Sequence, residues 1–99
     1  SGQMKADGST NRMAITSALR SAAKAAQDST GNWPKNVDEL KTDPKVQALG
    51  DLGDVKYDFV KTNEHGQAIY QVTLNGKKSE VIITPKKAEP QKPIGNTPQ

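Results

Sequence analysis

Ninety-nine residues, 32% of them hydrophobic and 4% aromatic, hold one domain with a small core. The formal net charge is +3, and residues 85–99 set Lys86, Lys87 and Lys92 against Glu89, a surplus of +2 that leaves +1 for everything before them, too close to neutral for a dedicated nucleic-acid surface. The absence of cysteine excludes a disulfide staple, a thiolate metal site and a cysteine nucleophile, and no apolar run approaches the ~18–20 residues that span a bilayer.

Residues 1–9 are Gly-, Ser- and polar-rich and are expected to be disordered; Ser1-Gly2 reads as a cloning scar, so an upstream segment is expected to have been cut away. Ser9-Thr10 is the predicted N-cap of a helix running from Asn11 to about Ser29. Ile15, Ala18, Leu19, Ala22 and Ala26 fall on one stripe at helical spacing, with Thr16, Arg20, Lys24 and Gln27 opposite. A stripe made mostly of alanine carries little apolar area, but it holds helix well and admits a close neighbour.

Gly31 is a natural helix stop. Trp33 precedes Pro34, and a residue before proline prefers extended backbone, so the chain turns here. Trp33 is expected to fold back and plug the end of the core, a burial that would stabilise the domain by roughly 2–3 kcal/mol. Its removal is expected to cost about 3 kcal/mol or more. Asn36 followed by Glu39 has a capping-box spacing, with Val37 and Leu40 facing inward. Asp43-Pro44 starts a second short helix, with Val46 and Leu49 inward and Gly50 at its end.

After a loop at 51–54, alternation predicts three strands: Val55–Lys61, Ala68–Leu74 and Glu80–Thr84. Asn63-Glu64-His65-Gly66 is a four-residue turn, and Asn75-Gly76 is the strongest two-residue hairpin signal. The expected fold is therefore α+β: a long N-terminal helix packed on a three-stranded antiparallel meander across residues 10–84. Tyr57, Phe59, Tyr70 and Val72 should face the helix, and a disordered Pro-rich tail should follow over residues 85–99.

No catalytic, cofactor-binding or metal site is expected. His65, the one histidine, sits in a turn with no second histidine or cysteine to join it. Asp51, Asp54 and Asp58 lack the ligand spacing of a calcium loop. No phosphate-cradling glycine loop is present, the serines lack a general base, and Lys77-Lys78 read as solubilising charges. Tyr57, Phe59 and Tyr70 near Lys56 and Lys61 could imitate a single-strand nucleic-acid platform, but a core this small needs those rings itself.

The order of elements resembles the globular part of type IV pilins and the pseudopilins of type II secretion. The residues that carry the resemblance are Gly31, Trp33, Pro34, Asp38, Glu39 and Leu40, a Gly-x-x-Pro corner with an aromatic before the proline and a segment ending Asp-Glu-Leu, within a stretch from about Asn11 to Thr84. The Phe- and Leu-rich N-terminal helix of that family, its C-terminal disulfide loop and the calcium loop of major pseudopilins have no counterpart here. The resemblance implies a structural subunit of an extracellular pilus or periplasmic pseudopilus, with no enzymatic activity and no cofactor. The hydrophobic helix would have been trimmed away or would be a separate pilin chain. Partners would be other pilin subunits, in a homo- or hetero-oligomeric filament, with membrane contact through the missing helix alone and no nucleic acid. The structural corner would be Gly31, Trp33, Pro34, Asn36, Glu39 and Leu40. Arg20, Lys24 and the connection from about Asn36 to Gly53 would be subunit contacts. The alternatives are a small exported binding or adhesion domain and a DNA-binding module of the DNA-uptake kind.

Overall fold

Of the alanines that recur along the first element, Ala22 and Ala23 are buried, Ala18 and Ala26 are half-buried, and Ala14 and Ala25 are exposed. A computed structural model describes residues 8–88, in which α1 (Gly8–Thr30) is followed by α2 (Val37–Leu40), α3 (Pro44–Gln47) and three strands, β1 (Lys56–Thr62), β2 (Ala68–Leu74) and β3 (Lys77–Ile83). Leu19, Ala22 and Ala23 are buried, with Ile15 and Ala18 packed at the margin. The stripe is therefore centred nearer Ala23 than expected, and Ala26 is half-buried. Residues three and four beyond Leu19 share its face equally, and alanines of equal size give the sequence no means of choosing between them.

The expected outer face holds for Arg20, which is exposed, whereas Thr16, Lys24 and Gln27 are half-buried. α1 also starts earlier than its predicted cap: Ser9 and Thr10 already lie within it, as does Gly8. Of the N-terminal stretch expected to be disordered, residues 1–7 lie outside the described residues.

The two short helices start where their caps predict. The Asn36 side chain accepts from the Glu39 amide, and Asp43 accepts from Lys45 with Pro44 in the first helical turn. Leu40 and Val46 are buried by these helices, at 1% and 2% exposure.

The sheet is an antiparallel meander in the order β1-β2-β3. β3 begins three residues before its predicted start at Glu80, because Asn75 and Gly76 both take positive φ (52° and 81°) and pair Leu74 with Lys77 at once. The polar triplet Lys77-Lys78-Ser79 conceals this in the sequence. The first turn is the expected four-residue one: the Gly66 amide donates to the Asn63 carbonyl at 3.0 Å, the Asn63 amide donates to the Gln67 carbonyl at 2.9 Å, and the Asn63 side chain accepts from the amides of His65 and Gln67. In β1 the register slips between Phe59 and Lys61, a bulge that leaves Val60 exposed.

Tyr57, Ala68, Tyr70, Val72 and Ile83 are buried on one sheet face and join Leu19, Ala22, Ala23, Leu40 and Val46 in a single core cluster. The tail expected to be disordered from Pro85 instead opens with a 3-10 turn, Lys86–Ala88, against α1. The remainder of that tail lies outside the described residues.

Candidate functional site: the helix-to-sheet corner

At the end of α1 the Gly31 amide donates to the Gln27 carbonyl at 2.8 Å while Gly31 itself takes φ +83°, the left-handed conformation that stops a helix. The Thr30 hydroxyl donates to the Ala26 carbonyl and accepts from the Asn32 amide, so the last turn is closed by side chain as well as backbone. The chain then leaves extended through Trp33 and Pro34, and Pro34 is buried.

Two hydrogen bonds fasten this exit to the sheet. The Tyr70 hydroxyl on β2 donates to the Pro34 carbonyl at 2.5 Å, and the Phe59 amide on β1 donates to the Lys35 carbonyl at 2.9 Å. The Glu39 carboxylate accepts from the Lys35 amide at 3.0 Å, one residue upstream of the amide a capping box would use. Consecutive residues 34, 35 and 36 are thus all held: Pro34 by β2, Lys35 by β1 and by Glu39 of α2, and Asn36 by the start of α2.

Tyr70 is the hub. Phe59 stands edge-on to it at 5.5 Å between ring centroids, Tyr57 lies tilted at 4.9 Å, and Trp33 meets it edge-on at 6.4 Å. Trp33 is only half-buried, so it covers Tyr70 from outside and does not plug the core. The buried position is held by Tyr70, whose hydroxyl can reach a carbonyl that an indole at position 33 cannot. Burial pushes both tyrosines up. Tyr57 rises from the ordinary 10.0 to about 12, the nearby positive charge of Arg20 opposing the shift. Tyr70 rises further, through burial and then its neighbours Tyr57 and Glu39. The Tyr57 hydroxyl is buried with no hydrogen-bond partner among the described residues.

The structure thus brings Gly31, Trp33, Pro34, Asn36, Glu39 and Leu40 into one corner, and adds two residues that the sequence did not assign to it, Tyr70, expected only to face the helix, and Lys35. For Tyr70 a signal existed: tyrosine in place of phenylalanine on an inward strand position implies a partner for its hydroxyl. Arg20 and Lys24 lie elsewhere, on a flank of α1. With Arg12 they line a groove floored by Leu74, which adjoins a second groove lined by Lys77, Lys78 and Ser79. This gathering of cations was hidden by a near-neutral sum. The connection between α2 and β1 forms a cleft of about 340 Å³ over Val37, Val46, Leu52 and Val55. The one carboxylate that lines it, Asp51, is exposed and accepts from the Gly53 amide of its own loop.

Among the described residues no three His, Cys, Asp or Glu side chains gather as metal ligands, and no helix is long and apolar enough to cross a membrane. His65 is exposed beside Glu64 in its turn. Comparison with family models, with curated proteins and with solved structures gives no match for this chain.

Proposed function

We propose that the chain is the head of a filament subunit of the type IV pilin or pseudopilin kind, a structural protein and not an enzyme. The observation that carries this reading is the relation of α1 to the core. The helix begins before the core does: Arg12, Met13 and Ala14 are exposed in succession, Met13 at 71%, and the first fully buried helical residue is Leu19. An isolated soluble domain gains little from a helix whose exposed residues 12–14 run ahead of its core. A subunit whose helix continues into a bundle of partner helices needs that lead-in, and needs the other end fixed to the head, which the corner at residues 31–36 does. In this reading the hydrophobic segment is supplied upstream or by a separate chain, assembly is with other pilin subunits, and the location is the cell surface or a periplasmic pseudopilus.

The test is an antibody raised against the 99-residue chain, applied to filaments sheared from the source cells, with mass spectrometry of the sheared material. Labelled filaments containing peptides of this chain support the reading. Recovery of the chain as free protein, with none in the filament fraction, overturns it.

A second reading, a DNA-binding module, draws on the grooves lined by Arg12, Arg20, Lys24, Lys77 and Lys78. No aromatic side chain lines either groove, so stacking on single strands is not on offer and a contact would be to phosphates. Oligonucleotide binding that falls steeply with salt would favour it.

A further inference from the structure

The two edges of the sheet are treated differently. On β1, the outward amide of Phe59 is taken by the Lys35 carbonyl and the strand is bulged at Val60. On β3, no backbone hydrogen bond from outside the sheet reaches Lys77–Ile83 among the described residues. Unpaired strand edges are templates for another strand. The Leu74↔Lys77 pair closes a two-residue turn and is therefore hydrogen-bonded, which fixes the alternation along the strand. Ser79 and Val81 direct their amides and carbonyls to β2, and Lys78, Glu80 and Ile82 direct theirs to the open edge.

We infer that β3 pairs antiparallel with β3 of a second copy of this chain, across a two-fold axis at Ser79. The charge pattern selects both the occupant and the register. Centred on Ser79, each Lys78 lies opposite the Glu80 of the other copy, in hydrogen-bonded positions with both side chains on the sheet face away from α1. Centred on Glu80 or on Lys78, the same edge sets like charges against each other. All three centres satisfy the outward alternation, and only the Ser79 centre matches charge twice. About four backbone hydrogen bonds form over Lys78 and Glu80 and their copies. Ile82, an exposed apolar residue at 50%, extends the paired face. Lys77 and Lys78 keep indiscriminate strands away, and this register answers Lys78 with a carboxylate and lays the stem of Lys77 along Val81. The pairing does not depend on the filament reading, since a two-fold contact joins two heads and does not propagate along a polar assembly.

Because the chain has no cysteine, disulfide trapping reports the register directly. Across the axis the two Ser79 Cα atoms would stand about 4.5 Å apart, within reach of a disulfide. The two Ile82 residues would be offset by six positions, about 20 Å. With the full chain at high concentration under mild oxidant, Ser79→Cys should form covalent dimer at least about tenfold faster than Ile82→Cys. In the Ser79→Cys background, Lys78→Glu or Glu80→Lys should slow the trapping, and the double reversal should restore it. The inference is overturned if Ser79→Cys traps no faster than Ile82→Cys, if Glu80→Cys traps fastest, or if the double reversal fails to restore the rate. It is equally overturned if trapping appears only after residues 89–99 are removed, which would make the chain's own C-terminal segment the occupant.

Discussion

Tyr70 holds Pro34 across 36 positions of sequence, its hydroxyl donating to the proline carbonyl from the centre of the sheet. The contact joins the point where the helix has ended to the strand that the other two strands flank. Removing only the oxygen isolates it. Tyr70→Phe keeps the ring and its packing and leaves a buried carbonyl without its donor, so it should lower stability by about 1–2 kcal/mol. The shift in urea midpoint, at unchanged slope, measures this.

Tyr57 provides the internal control. It is equally buried and packs on Tyr70, but its hydroxyl has no partner among the described residues. Tyr57→Phe removes a desolvated polar atom and no hydrogen bond. The expected result is a change within about 1 kcal/mol of zero, in the stabilising direction. A loss equal to that of Tyr70→Phe would mean that the Tyr57 hydroxyl is bonded in solution.

Trp33→Ala should cost about 1–2 kcal/mol, below the ~3–5 kcal/mol typical of a fully buried aromatic, because the indole is half-buried. The same variant should weaken quenching of the remaining tyrosine fluorescence. A loss above 3 kcal/mol would restore Trp33 to the role of core plug expected from sequence.

Gly31→Ala should cost about 1 kcal/mol. The reason is conformational, since a Cβ at position 31 meets nothing within 4 Å and the strain lies in φ +83°. Gly31→Asn should cost less, since asparagine tolerates that region. Equal melting temperatures for Gly31→Ala and the parent would remove the left-handed stop from the account.

Alkaline pH should unfold the domain before it ionises the buried tyrosines. Both are raised above 10.0, Tyr57 to about 12. The folded state therefore retains protons that the unfolded chain releases first, so their contribution is complete below pH 10 and is lost as pH rises through about 12. Each tyrosine steepens that loss by ~1.4 kcal/mol per pH unit within the window. Tyrosinate absorbance should appear together with loss of circular dichroism.

The architecture was legible because its punctuation is strong. Gly31, Asn36, Asp43-Pro44 and Asn75-Gly76 each fix a terminus through local backbone chemistry, and each lies where its residue type predicts. What sequence could not supply was long-range. Alanine stripes do not choose a central residue, so Ala23 was missed. Lys77-Lys78-Ser79 has a loop's composition and becomes strand because the turn before it dictates pairing. The exchange of roles between Trp33 and Tyr70 depended on which ring could meet a carbonyl 36 residues away, and no local pattern encodes that distance. The cationic grooves stayed hidden because Arg12 and Lys77 are far apart in the chain and a summed charge erases their neighbourhood.

The kink at Val60, with Lys35 latched beside it, has a consequence for how this protein ages in concentrated solution. A ribbon that grows by accretion needs two receptive margins on every unit, and here one is interrupted by a bulge and by the bond from Phe59 to Lys35. Association through the remaining margin would leave a pair whose two outer rims are both kinked strands, poor templates for further growth. That asymmetry is a safeguard against fibres, and it should fail if the kink is straightened.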